Sequence, residues 1–121
     1  MILKPVGFFR ELPYGSPDSP SIYETLPTAL PDETKVLQYL KSATVFIVSP
    51  GIENDILAPE NIVGTLAILT DGVWAWPESL SYYLENYHVV LLEEFLRHVQ
   101  NRNYVVPNPD EINTGELEFP G

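Results

Sequence analysis

Acid–base or metal chemistry in this chain would have to start from His88 and His98, its only two imidazoles, because no cysteine accompanies them. Histidine changes charge nearest neutral pH and is the commonest metal ligand. Neither histidine has a second one four residues on, nor a carboxylate in the H-E-x-x-H arrangement that places two ligands and a base on one helix face. Both therefore read as capping or surface histidines, and no metal or cofactor is expected. The serines at 16, 19, 21, 42, 49, 79 and 81 lack a G-x-S-x-G elbow or an S-x-x-K partner. Glu93-Glu94 and Asp110-Glu111 are adjacent pairs on exposed turns, whereas a glycosidase pair faces across a cleft roughly 5–9 Å wide. Glycine-rich phosphate loops are missing. An enzyme built on Tyr83, Tyr87, His88 and an acid ranks last among the readings, and the chain is expected to break no bonds.

Binding is the chemistry that remains. Seventeen acids against six bases give a net charge of −11. Such a surface repels nucleic acid and anionic membranes, and it draws in a basic partner. Trp74 and Trp76 fall on one face of a predicted strand, between Asp71 and Glu78. Aromatic rings beside carboxylates can seat an arginine or lysine by cation–π attraction and ion pairing. Glu53 and Asp55 lie in a segment with no base. The candidate partner-binding set is therefore Glu53, Asp55, Asp71, Trp74, Trp76 and Glu78. The competing structural reading packs the indoles beneath the following helix. The alternative function is a small-molecule site lined by the same tryptophans and tyrosines.

The elements that position these residues follow from periodicity. The 121 residues suit a single domain. Residues 1–31 form a proline-rich arm whose Phe8, Phe9, Leu12, Ile22, Tyr23 and Leu26 require an ordered wrap, with an edge strand over 6–12 and a helical turn at 21–26. Asp32 is placed to cap a helix over 32–42, with Val36, Leu37 and Leu40 inward. ATVFIVS is a strand over 43–49, continuously apolar and so expected to be covered on both faces, and Pro50-Gly51 begins a loop. Two apolar runs flank Asp71-Gly72 and predict a hairpin, 62–69 with 73–76, closed by a type I′ turn in which both residues take positive φ. Gly64 marks a bulge or close approach. A helix over 77–87 buries Leu80, Tyr83, Leu84 and Tyr87 and points Tyr82 away. Another over 91–102 buries Leu92, Phe95, Leu96 and Val99, and its end charges suit the helix dipole. Tyr104–Val106 is a short strand, and the acidic tail, 107–121, is loose or laid on the surface. The fold class is α+β: a small, mainly antiparallel sheet carrying helices on one side. The opening MILKP is too short an apolar run for a leader, no run approaches the ~18 residues of a membrane helix, and the expected compartment is the cytoplasm. Oligomeric state is not legible.

The order TDG-x-W-x-W-x-x-x-L-x-Y-Y, then YHV and an EEF helix, resembles small bacterial proteins abundant in actinobacteria, some of them similar to immunity proteins of polymorphic-toxin systems. The resemblance spans residues 7–106 and departs at Pro77-Glu78-Ser79. It implies an inhibitor that neutralises a basic toxin by occluding it.

Overall fold

A computed structural model of the chain describes residues 2–119; Met1, Pro120 and Gly121, at the ends of the predicted arm and tail, lie outside them. Four strands make one sheet: β1 (Lys4–Pro5), β2 (Thr44–Asn54), β3 (Ile62–Thr70) and β4 (Trp74–Pro77), in the order β1-β4-β3-β2. Only the β1–β4 pair is parallel. Three helices, α1 (Glu33–Ser42), α2 (Leu80–Tyr87) and α3 (Glu93–Asn101), complete an α+β fold.

Sheet and helices meet over the face that carries Leu69, Trp74 and Trp76. Val36, Tyr39 and Leu40 of α1, Leu80, Tyr83 and Leu84 of α2, and Phe95 and Val99 of α3 share that core. The 3.6-residue spacing of these side chains is what makes each helix one-sided. Tyr39 fell outside the expected α1 stripe, yet its ring lies 6.0 Å from Trp76 and 6.4 Å from Phe95. Asp32 does not cap α1 with its side chain; its carboxylate accepts the Tyr104 hydroxyl instead. Helix α2 begins at Leu80 rather than 77, because Pro77 is still the last residue of β4.

Four other expectations are corrected. Strand β2 does not stop at Pro50: a register irregularity between Ser49 and Ile52 absorbs Pro50 and Gly51, and pairing resumes to Asn54. An edge strand tolerates proline because its outward N–H has no partner to lose. Nor is β2 covered on both faces: Val45, Val48 and Ile52 on one face and Ile47 on the other are exposed. The arm forms no strand over 6–12; β1 ends at Pro5, the Val6 amide makes a last bond to the Ala75 carbonyl, and the chain turns out of the sheet at Gly7, with φ +82°. A Cβ there would come within 2.8 Å of the Leu80 side chain. Tyr104–Val106 is not a strand, because Asn103 and Tyr104 take positive φ where the chain leaves α3. Gly64 lies opposite Glu53, beside a further register irregularity. The tail runs back along the arm: the Leu3 amide donates to the Glu118 carbonyl, and the Phe119 ring meets Phe8 edge-on at 5.6 Å.

Candidate functional site

Of the six residues picked out in the sequence, five are interior and one is exposed. Both indoles are buried. Strand alternation does put them on one face, but that face looks into the core. Phe95 meets Trp74 at 5.3 Å and Trp76 at 5.5 Å, and the Trp76 Nε1–H donates to the Leu40 carbonyl at 3.2 Å. The rings join the sheet to α3 and α1, so neither can serve as a contact anchor or line an open aromatic pocket.

Asp71 closes the β3–β4 hairpin from inside. Only Gly72 takes positive φ, so the type I′ expectation fails. The Asp71 carboxylate instead accepts the amides of Val73 and Trp74, at 2.9 and 2.8 Å. It also accepts the Tyr39 hydroxyl, and His98 Nε2 stands 3.0 Å from its Oδ2. Sequence reasoning missed this use of Asp71 because two of its partners come from distant helices. An Asp–His pair resembles part of a catalytic triad. His98 borders an open depression with Glu93, Glu94, Arg97 and Asn101, and that lining carries no hydroxyl or thiol nucleophile. His88 takes the left-handed conformation that ends α2, and its Nδ1 lies 3.0 Å from Glu33 Oε1.

Asp55 and Glu53 sit at the opposite end of β2 from the Asp71 turn. Asp55 accepts hydroxyls from Tyr82 and Tyr87 and amides from Leu57 and Ala58. Tyr82 lies off the buried stripe of its helix and is half-buried, with its hydroxyl spent on Asp55. Burial alone would raise the Asp55 pKa, but these donors outweigh it and hold the group below the ordinary aspartate value. Glu53 receives the Tyr14 hydroxyl at 2.6 Å. Burial dominates there and its pKa is raised. Glu78 is exposed and accepts the Thr65 hydroxyl. Among the described residues no cluster of three or more histidine or acidic side chains could hold a metal ion.

What the chain does expose is aliphatic. Opposed residues of a ladder share a face, and Val45, Val48 and Ile52 of β2 stand opposite Leu69, Ala67 and Thr65. They occupy the helix-side face, yet they are 50%, 70% and 60% exposed because the helices stop short of β2. Among the described residues no strand pairs with the outer side of β2. The strand seemed interior in the sequence because a continuous apolar run looks the same in a core strand and in an edge strand awaiting a partner. No protein-family model, curated protein or solved structure matches the chain. No helix is long and apolar enough to cross a membrane.

Proposed function

We propose that this chain is a non-enzymatic acidic binding protein that engages a basic protein through the open edge of β2, in the manner of an immunity protein that occludes a toxin. The observation that carries the reading is the exposure of an 11-residue edge strand whose Val45, Val48 and Ile52 face solvent. A row of unpaired N–H and C=O groups is a template for another strand. Main-chain bonds to it supply affinity, and alternate side chains supply selectivity. The net charge of −11 speeds encounter with a basic partner. The contact set moves from the buried indoles to these three aliphatics, with Glu78 the one exposed acid of the original six.

The test is parallel affinity capture with the wild-type chain and Val48→Lys, which sets a cation on the edge and obstructs strand addition. Val48 is largely exposed, so the variant should fold normally, within ~0.5 kcal/mol. A basic protein retained by the wild type, lost from Val48→Lys and released between about 50 and 500 mM salt is the expected outcome. Equal capture by both chains overturns the reading.

A further inference from the structure

We propose that the depression beside Tyr14 and Glu53 is a seat for an alkyl cation, the ammonium or guanidinium head of a lysine or arginine side chain. The identity of its bearer, a strand added to β2, rests on the preceding reading; the chemistry of the seat does not. The depression opens on the sheet face opposite the helices. Leu66 and Ile68 of β3 and Ser49 of β2 line its floor, Tyr14 and Pro77 its walls, and Glu53 its side, enclosing about 170 Å³. Past Tyr14 and Glu53 it runs into a second depression of about 410 Å³ bordered by Leu12, Ile52 and Ile56. Leu66, Ala67, Ile68 and Pro77 make most of the first depression's lining apolar, with the Glu53 carboxylate its one charged group, which suits a side chain with an apolar stem and a charged head.

Glu53 is unlike the other two buried acids. Asp55 and Asp71 each gather two backbone amides besides side-chain donors. Glu53 is only 8% exposed and has hydroxyls rather than amides around it: Tyr14 donates to it at 2.6 Å, and Ser79, 2.9 Å from the Tyr14 hydroxyl, adds a second side-chain hydrogen bond. An ionised carboxylate offers about four acceptor positions. Among the described residues no lysine, arginine or histidine forms an ion pair with Glu53. Glu78 nearby adds repulsion. A desolvated carboxylate held by neutral hydroxyls alone, at the side of a largely apolar groove, gains most from a donor that also brings positive charge. The position fits the edge strand as well. Ser49 pairs with Leu66 and Glu53 with Gly64, so on a strand added to β2 the residue opposite Ser49 would project onto the same face. A lysine or arginine there would lie one strand spacing, ~5 Å, from the groove.

The test uses n-butylammonium, n-butylguanidinium and uncharged 1-butanol as probes, each titrated into the ¹⁵N-labelled chain and followed by amide NMR shifts. Both cations should give saturable shifts centred on Ser49, Glu53, Leu66 and Ile68, and should bind at least tenfold more tightly than 1-butanol. Glu53→Gln keeps an acceptor for Tyr14 and should abolish that preference. Butanol binding as well as the cations, shifts spread over exposed acids such as Glu85 and Asp110 without saturation at the groove, or a preference that survives Glu53→Gln would each overturn the proposal. If Glu53→Gln failed to fold, the wild-type map with the three probes decides alone. A chain that seats the cations but captures no basic protein defeats only the preceding reading. One that captures a basic protein through β2 yet ignores the cations defeats only this inference.

Discussion

Burying a carboxylate is unfavourable unless donors replace the water it loses, and Asp55 and Glu53 stand on opposite sides of that balance. Asp55 has two tyrosine hydroxyls and two amides, and its pKa is pulled below the ordinary 3.8. A lowered folded-state value means stability that is fully present above about pH 4 and is lost as pH falls from there through the folded-state value. Asp55→Asn should therefore cost about 2–3 kcal/mol at pH 7 by leaving buried donors mismatched, with the deficit shrinking in acid. Glu53 is raised above 4.5, with burial the leading cause. Its contribution has the opposite sign: full below about pH 4.5, lost as pH rises through the folded-state value. Glu53→Gln should thus raise Tm by a few degrees at pH 7 and leave it unchanged near pH 4. Thermal melts of both variants across pH 3–8 check the pair. Two variants moving in the same direction at pH 7 would contradict this account.

At the scale of elements, Phe95 is the larger of the two side chains that α3 buries against the sheet. Phe95 contacts Trp74, Trp76 and Tyr39, and aromatic pairs add to the stabilisation from burial. Phe95→Ala should cost about 3–5 kcal/mol, which is a large share of the 5–15 kcal/mol a domain possesses. Urea denaturation measures it directly as a lowered midpoint at unchanged m value. The helices were legible because their inward positions repeat locally: Leu80, Tyr83 and Leu84 in α2, Phe95 and Val99 in α3. The hairpin was legible from Asp71-Gly72 between apolar runs. What escaped was long-range. That β2 lies at an edge depends on where the other strands join, and β1 and β4 both lie on the far side of β3. That Asp71 faces inward depends on Tyr39 and His98, 32 and 27 residues away. The candidate site suffered most, because acid and tryptophan counts say nothing about which side of a strand meets a helix. Five of the six chosen residues are buried, while Val45 and Val48 of β2, expected to be covered on both faces, are exposed.

Across the whole molecule, the charge that opposes folding is the charge that would attract the basic partner of the proposed function. The ion pairs Lys4–Glu94, Lys41–Glu85 and Arg97–Glu93 join well-exposed side chains, and each contributes only ~0–1 kcal/mol. Each pairs one acid with one base, so the net −11 is left whole. Self-repulsion of that size opposes the compact state. Raising salt from about 10 mM to 1 M shortens the screening length from ~30 to ~3 Å and weakens the repulsion more than it weakens three surface pairs. Tm should therefore rise with salt, by a few degrees over that range. Attraction to a basic partner is screened by the same ions, so its association rate should fall steeply, by tenfold or more. Differential scanning fluorimetry and stopped-flow association, run in one set of sodium chloride buffers, test the two slopes together. A Tm that falls with salt would mean that local ion pairs outweigh net repulsion. A salt-independent association rate would remove charge from the recognition step and leave the aliphatic edge of β2 to act alone.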